Sequence, residues 1–599
     1  MLSNLGYALR ARFERAGQRA DLDQAIEAYR EGAGVLTASP GQRVTAAWAW
    51  GRCALLADAP DAAVAGYTAA IDLLPLVAWH GLDQTTREHH LREWAGLASD
   101  AAAAAAAAND PAQAVELLEA GRSILWTQAS HLRHDLAALQ ERAPGLAAAL
   151  EASRAVLNTS SPSVARGPDM TGDASQARAA EQQLLDERRQ AARDWDAAVD
   201  LVRRVEGFEH FLRPVPITDL RAAAANGPVV IVNISYHGSQ ALIVTRATGP
   251  DPGPAVRVVD LPAASMDTVI GQGNTLLEAQ RGTGDRDAVF DVLSWCWQAI
   301  TEPVLADLGH TRTPGERIED WPRVWWCPTG PATVLPLHAA GRHPRTTAEY
   351  EAMGEAAALA GSVAGRVISS YTPALTSLTQ ARSRSAPGRV RQLAVGMPEA
   401  PAYAPGASPL PAVPAELQVL GRCLPPPEHA THLLGRTATR QAVLEALPRH
   451  SWLHLSCHGV QHPDDPALSA FLLHDQPLTL ADLAALDLRE MDLAYLSACQ
   501  TATGDLRLLD EALHLAGALQ LVGYRHVLAT LWSIADVAAP GLARDTYAHL
   551  LHPDPEHPHP ADQPRAARAP YALHHAVARL RQRYPGEPLL WAPYIHLGP

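Results

Sequence analysis

The sequence contains no lysine, so arginine carries all of its side-chain basic charge apart from histidine. Together with the abundance of alanine, this indicates the codon bias of a GC-rich bacterial genome and has no mechanistic meaning. Acidic residues outnumber basic ones, and the formal net charge is −15. That balance argues against a nucleic-acid partner, which would favour a basic surface.

Cysteine and long apolar runs are also scarce. The six cysteines, at positions 53, 296, 327, 423, 457 and 499, show no paired spacing. This pattern indicates free thiols in a reducing compartment and not a disulfide framework. The N-terminus has no apolar signal core, and no run of about 20 strongly apolar residues occurs. We therefore expect a cytoplasmic protein without a membrane span.

A chain of 599 residues with 47% hydrophobic residues has material for two to four domains. Residues 1–155 are predicted to be helical and weakly repetitive, because a small-apolar pair followed by a large side chain recurs after acidic turns. The three copies are Ala25-Ile26 with Tyr29, Ala63-Val64 with Tyr67, and Ala114-Val115 with Leu118. The pattern resembles a degenerate tetratricopeptide repeat with insertions, and a generic helical bundle is the alternative.

Residues 156–207 are predicted to connect this region to a different kind of domain. The segment 156–173 is polar and rich in turn formers, which indicates a flexible loop and a candidate self-cleavage site. A charged bridging helix is expected to follow at 175–206, with an apolar stripe that includes Trp195, Val199 and Val202.

From residue 208 to 599 the pattern changes to short apolar runs separated by helical segments. This alternation is typical of an α/β domain with a mostly parallel sheet, so the predicted fold class is a helical region followed by α/β. The strand-like runs lie at 229–234, 240–245, 323–328, 392–397, 452–457, 493–499 and 526–532.

Two of these strands end in reactive side chains. WLHLSC is followed by His458-Gly459, and LAYLSA is followed by Cys499. Functional groups gather beyond the carboxyl ends of strands in open α/β sheets, so neighbouring parallel strands would bring the imidazole and the thiol together. The imidazole would take the thiol proton, and the backbone N–H groups of Gly459 and Cys499 would bind a developing oxyanion.

The segments HLSCHG and YLSACQTATG resemble the histidine and cysteine boxes of the CHAT family, caspase-like cysteine peptidases associated with tetratricopeptide repeats. Weaker matches follow in order, including VWWCPTGPATVLPLHAA, LAVGMP, HVLATLWSIAD and the terminal WAPYIHLG. The resemblance covers residues 208–599 and implies a pseudo-active half, 208–385, and a catalytic half, 386–599.

The resemblance also implies residue roles. His458 is the general base and acid, Cys499 is the nucleophile, and the oxyanion donors are the backbones of Gly459 and Cys499. Asp536 follows the Leu-Trp strand, where the family often has an acidic residue, and is a candidate for a substrate pocket that favours arginine or lysine. The alternative role for Asp536 is a helix N-cap.

The expected activity is that of a cysteine endopeptidase that needs no cofactor and no metal. The helical repeats would bind a protein substrate or a regulator in a bacterial defence, signalling or stress pathway, and neither nucleic acid nor membrane is an expected partner. The main alternative is a non-catalytic scaffold that binds partners through the same fold. A metal hydrolase is a further alternative, but HLSCH lacks the glutamate of the helical zinc motif.

Overall fold

The computed structural model describes most of the chain. The described residues are 1–78, 94, 96–158, 174–206, 208–209, 211–246, 253–281, 284–315, 317–424, 429–460, 469–486, 488, 491–497, 499–501, 514–551 and 565–599. They divide into two compact units, Met1–Asp219 and Leu220–Pro599, which are described separately below.

The first unit is helical, as predicted. Its helices are α1 (Leu2–Ala16), α2 (Arg19–Gly34), α3 (Pro40–Leu56), α4 (Pro60–Ala78), α5 (Leu97–Ala107), α6 (Pro111–Arg142), α7 (Pro144–Asn158) and α8 (Ala174–Val202). Local sequence fixes several helix starts. Ser39 and Gln42 form a capping box before α3, and the Asp110 side chain accepts the Gln113 N–H before α6.

Consecutive helices of this unit pack against each other, and glycines allow the closest approaches. A Cβ atom on Gly6 would lie 2.8 Å from the ring of Tyr29, and one on Gly51 would lie 2.9 Å from the ring of Tyr67. The same contact therefore joins α1 to α2 and α3 to α4. Tyr29 and Tyr67 are the large residues that follow the small-apolar pair in two copies of the repeated sequence pattern. The pattern therefore identifies equivalent packing positions in the two helix pairs. The assignment to tetratricopeptide repeats stays a prediction.

Helix α8 packs against α7 through its apolar stripe, where Trp195, Val199 and Val202 are buried. Most of the predicted flexible loop at 156–173, and with it the candidate self-cleavage site, lies outside the described residues. Across the described parts of the chain, no helix has both the length and the apolar character needed to cross a membrane.

The second unit is an α/β domain, as predicted. Its strands, in chain order, are β1 (Val229–Asn233), β2 (Gln240–Val244), β3 (Val256–Asp260), β4 (Arg323–Pro328), β5 (Ile368–Tyr371), β6 (Gln392–Gly396), β7 (Ala430–Leu434), β8 (Trp452–Ser456), β9 (His458–Val460), β10 (Ala470–Leu472), β11 (Pro477–Thr479), β12 (Leu493–Leu496), β13 (Cys499–Thr501), β14 (His526–Thr530) and β15 (Tyr594–Leu597). The main sheet has the strand order β3-β2-β1-β4-β5-β15-β14-β12-β8-β6-β7. A second sheet has the order β11-β10-β9-β13.

The main sheet consists of two mostly parallel halves. Strands β1, β4, β5 and β15 run in one direction, and β14, β12, β8, β6 and β7 run in the other. The halves meet where β14 pairs with β15 in antiparallel orientation. Because parallel strands end at the same edge, the strands of the two halves end at opposite edges of the sheet.

Helices flank this sheet. They are α9 (Ile217–Leu220), which contains the boundary between the units, then α10 (Met266–Arg281), α11 (Arg286–Cys296), α12 (Glu302–Asp307), α13 (Thr347–Met353), α14 (Glu355–Ala360), α15 (Leu375–Ser383), α16 (Val413–Cys423), α17 (Arg440–Ala446), α18 (Leu480–Ala484), α19 (His514–Val522), α20 (Ala539–Leu550), α21 (Ala569–Arg583) and α22 (Pro588–Trp591). Helices α16, α20 and α21 form one large core with strand residues that include Trp452, Tyr495 and Tyr594. This core supports the strands that carry the candidate site.

Candidate active site

The candidate site is built on two adjacent central strands, β8 and β12. They run parallel, with Leu493 opposite Trp452 and Leu496 opposite Leu455. Every residue of both strands is buried, because the sheet is covered on both faces. Since parallel neighbours end at the same edge, the segments that follow β8 and β12 leave the sheet side by side.

Both strands continue directly into the second sheet. After Cys457 the chain enters β9, and after residues 497–498 it enters β13. Strands β9 and β13 pair in parallel, with Cys499 opposite His458, Gln500 opposite Gly459 and Thr501 opposite Val460. Neighbouring strands lie about 4.8 Å apart, so the backbones of His458 and Cys499 are adjacent. The Cys499 side chain lies outside the described atoms.

The imidazole of His458 is oriented by a backbone carbonyl. Its Nε2 lies 2.6 Å from the carbonyl oxygen of Ser408, and the residue is half-buried. A carbonyl oxygen can only accept a hydrogen bond, so Nε2 carries the proton and donates it. In the neutral imidazole Nδ1 then holds the lone pair. This tautomer is the one in which Nδ1 can take a proton from a neighbouring group.

Ser408 was not among the site residues predicted from the sequence; it lies in a loop within the proline-rich segment 399–413. That loop follows β6, which pairs in parallel with β8. The loop therefore starts at the same edge of the sheet as the candidate site. A contact made by a backbone carbonyl cannot be read from the sequence. The signal available was the position of the loop, which follows a strand predicted at 392–397 in the same sheet.

Asp536 is attached to the same loop. It begins a 3₁₀ helix, Asp536–Ala538, and its Oδ2 accepts the Ala412 N–H at 2.7 Å. It does not act as an N-cap, since the cap position is Ala535 and no side-chain cap bond is present. The loop therefore makes two contacts. The carbonyl of Ser408 accepts a hydrogen bond from His458, and the N–H of Ala412, four residues later, donates one to the Asp536 carboxylate.

The sequence profile of the CHAT domain matches residues 291–599, just over half of the chain. The chain belongs to the CHAT domain family. The match begins within helix α11 and includes both strands of the candidate site, the Ser408 loop and the terminal strand β15. No curated protein sequence matches the chain.

Solved structures similar to this CHAT protein include separase from Saccharomyces cerevisiae, in a separase-securin complex. It has a TM-score of 0.43 and 7% identity, over 96% of this chain and 54% of that chain, so this chain spans about half the length of that separase. The Porphyromonas gingivalis RgpB pro- and mature domain complex has a TM-score of 0.29 and 10% identity, over 55% of this chain and 75% of that chain. The Arg-specific cysteine proteinase gingipain R has a TM-score of 0.29 and 9% identity, over 55% of this chain and 73% of that chain.

Beneath the CHAT site lies a buried polar cluster formed by Glu416, Ser456, His454, Tyr547 and Gln392. The Ser456 hydroxyl donates to Oε2 of Glu416 at 2.7 Å, and Nε2 of His454 donates to Oε1 at 3.1 Å. Nδ1 of His454 lies 3.2 Å from the Tyr547 hydroxyl, which also accepts from the Gln392 amide. Ser456 precedes His458 by two residues, so the cluster fixes the end of β8 against α16.

The other cysteines of the CHAT protein are poor candidates for reactive thiols. Cys53, Cys296, Cys327 and Cys457 are buried, and Cys423 is half-buried. Burial raises the pKa of Cys53 to about 11 and also raises the pKa values of Cys296 and Cys423. Within the described ranges, no group of three or more histidine, cysteine, aspartate or glutamate side chains is arranged to hold a metal ion.

Proposed function

We propose that this CHAT protein is a cytoplasmic cysteine endopeptidase with Cys499 as nucleophile and His458 as general base and acid. The observation that supports this most is the pairing of these two positions on adjacent strands, β9 and β13. The hydrogen bond to the Ser408 carbonyl adds to it, because a neutral ring that donates from Nε2 has Nδ1 as its basic nitrogen.

In the proposed reaction the thiol of Cys499 transfers its proton to His458, and the thiolate attacks the carbonyl carbon of a peptide bond. The backbone N–H groups of Gly459 and Cys499 stabilise the oxyanion, a contribution of about 3 kcal/mol for one such donor. His458 then protonates the leaving amine, which leaves an acyl-enzyme. Water, deprotonated by His458, hydrolyses the acyl-enzyme and restores the thiol.

The Asp536 carboxylate is proposed to favour substrates with arginine or lysine before the cleaved bond. Oδ2 accepts the Ala412 N–H, and among the described residues no hydrogen-bond partner approaches Oδ1. The residue is half-buried, so a basic side chain could reach Oδ1 from solvent. A charge-assisted hydrogen bond of this kind would be stronger than one to a neutral acceptor.

The helical unit is proposed to recruit a protein substrate or a regulator, on the interpretation of residues 1–155 as tetratricopeptide-like repeats. Stacked helix pairs form an extended surface on which a peptide can bind. Activity would then depend on the partner in a bacterial defence, signalling or stress pathway, and the isolated chain would be partly latent.

Peptide cleavage by the full chain tests the proposal. Wild-type protein should cleave members of a peptide library, and Cys499→Ala and His458→Ala should each lose this activity. Cys423→Ala is the matched control, since it removes a half-buried thiol that lies on neither β9 nor β13 and should retain activity. Cleavage that persists in Cys499→Ala, or that a chelator abolishes, would contradict the proposal. No cleavage in any condition would favour a scaffold.

A further inference from the structure

A cavity with unpaired polar groups lies in the α/β unit, and none of its lining residues belongs to β9 or β13. It has a volume of about 60 Å³ and lies between helix α21 and strands β5 and β15. A single water needs about 10–15 Å³ of such space, so the cavity holds several waters or one small polyatomic ligand. Leu359 and Ala578 line it and are partly exposed, which gives solvent a route to the cavity.

Arg581 is the charged group of this cavity. It is only 7% exposed, yet its guanidinium makes no hydrogen bond and no ion pair to any described residue. Its guanidinium carbon lies 6.0 Å from the centroid of the Trp591 ring. Burial lowers the pKa of Arg581 to about 10, with Tyr350 and Glu355 acting against this effect, so Arg581 is charged at neutral pH. Glu355 acts on this charge without forming an ion pair with it, so the guanidinium can pair with an anion that enters the cavity.

Further lining residues have buried atoms for which no described residue supplies a hydrogen-bond partner, among them Nε1–H of Trp591 and Nδ1 of His343. The other nitrogen of His343, Nε2, donates to the Ala339 carbonyl at 2.8 Å, so Nδ1 is a lone-pair acceptor in the neutral ring. Burial lowers the pKa of His343 and His338 to about 3 and that of His574 to about 4. At neutral pH these imidazoles are therefore uncharged.

The site thus offers one positive charge, several N–H donors and apolar walls. A metal cation is disfavoured, since Arg581 would repel it. Water could satisfy the donors but would leave the charge of Arg581 unpaired. A doubly charged anion would meet only one positive group. The apolar lining residues Leu359, Leu573, Val577 and Ile595 suit a short hydrocarbon group.

We propose that the cavity around Arg581 binds a small monocarboxylate, with the carboxylate paired to the guanidinium and the short alkyl group against the apolar wall. A carboxylate matches the planar guanidinium with two parallel N–H···O bonds. Trp591 Nε1–H is available as a further donor. The proposal is independent of peptidase activity, because none of these residues belongs to the Cys499–His458 site.

Thermal unfolding of the full chain with added propionate tests this proposal. A ligand that binds only the folded state raises the unfolding temperature in a saturable way. Wild-type protein should show this rise, and Arg581→Met should not. Arg583→Met is the matched control, since it removes the same charge from an exposed position two residues later on α21. It should respond to propionate as wild type does.

The same unfolding measurement with sodium chloride at equal ionic strength is a control. It distinguishes specific binding of propionate from a general effect of salt on the unfolding temperature. Without propionate, Arg581→Met should be at least as stable as wild type, because it removes an unpaired buried charge without opening a large cavity. An equal rise in Arg581→Met, or an equal rise with chloride, would overturn the proposal. Saturation-transfer NMR on the propionate methyl group gives a readout that needs only wild-type protein. No transfer to propionate would also overturn it.

Discussion

The imidazole Nε2 of His458 lies 2.6 Å from the carbonyl oxygen of Ser408, which is 50 residues earlier in the chain. This hydrogen bond joins the strand that follows β8 to the loop that follows β6. The loop is held in turn by the hydrogen bond from Ala412 N–H to Asp536. The orientation of His458, the proposed base, therefore depends on the Ser408 loop. The position of that loop depends in turn on Asp536, which lies in a third segment of the chain.

Substitutions at Asp536 separate two roles of its carboxylate, which accepts the Ala412 N–H and is proposed to bind a basic substrate side chain. Asp536→Asn keeps an oxygen that accepts the Ala412 N–H but removes the charge, whereas Asp536→Ala removes both. We expect Asp536→Asn to lose the preference for arginine and lysine while still cleaving peptides. Asp536→Ala should lose most activity on all peptides, because the Ser408 loop is released.

Steady-state kinetics on peptides that differ only at the residue before the cut provide the measurement. If Asp536→Asn retains the wild-type preference, the carboxylate does not select the substrate. If Asp536→Ala cleaves all peptides as well as wild type does, the loop does not need this anchor.

Glu416→Ala should destabilise the protein strongly. The substitution removes the acceptor of both Ser456 and His454, which are buried beneath the site. Breaking a buried polar pair by removing one partner costs about 3–5 kcal/mol. Urea unfolding measures the change in the free energy of unfolding. Glu445→Ala, an exposed glutamate on α17, is the control and should change it by less than about 0.5 kcal/mol. Similar small effects for both variants would show that the cluster contributes little.

Asp482 gives a prediction for the acid range. Arg440 donates two hydrogen bonds to its carboxylate, and the Arg440 contact is the main reason that the pKa of Asp482 is lowered to about 2. Because the folded pKa lies below the unfolded value of about 3.9, the carboxylate stabilises the protein above that value. The stabilisation decreases as the pH falls toward 2. Asp482→Asn should therefore lower the free energy of unfolding at pH 7 by about 2–3 kcal/mol.

The difference between wild type and Asp482→Asn should narrow as the pH is lowered from 5 to 3. Urea unfolding across this range measures it. Asp320→Asn is the control, since Asp320 forms an ion pair with Arg317 but its side chain is 69% exposed. An Asp482→Asn difference that stays constant with pH would contradict the assigned pKa shift.

In the helical unit, Gly66→Ala should be destabilising. A Cβ atom there would lie 2.6 Å from the backbone nitrogen of Gly51 on α3, and backbone atoms cannot move aside without shifting a helix. Overpacking of this kind costs about 1–3 kcal/mol. The matched substitution Gly34→Ala meets no atom within 4 Å and should be neutral or stabilising. Circular dichroism during heating compares the two variants, and equal unfolding temperatures would contradict the close approach of α3 and α4.

The strands were predictable where an apolar run is long enough to show its pattern. All seven strand-like runs correspond to strands, since continuous apolar residues fit a sheet covered on both faces. Strands β9 and β13 have three residues each, too few for a pattern, and β15 contains a buried histidine. These strands form because they pair with segments that are distant in the chain. The local sequence carries no information about such pairing.

The candidate site was predictable in part for the same reason. His458 and Cys499 stand out because reactive side chains follow apolar strands. The Ser408 carbonyl has no side-chain signature, and the cavity around Arg581 is formed by two segments, 338–371 and 570–596, that are far apart in the chain. A buried arginine cannot be distinguished from an exposed one by its neighbours in sequence.

The rate of thiol alkylation tests most directly whether His458 and Cys499 act together. Mass spectrometry after brief treatment of the native full chain with iodoacetamide at neutral pH gives the rate for each cysteine. Cys499 should react faster than Cys423, the half-buried thiol whose pKa is raised by burial, and His458→Ala should slow Cys499 selectively. If Cys499 reacts no faster than Cys423, and His458→Ala changes neither rate, the two residues do not form a catalytic pair.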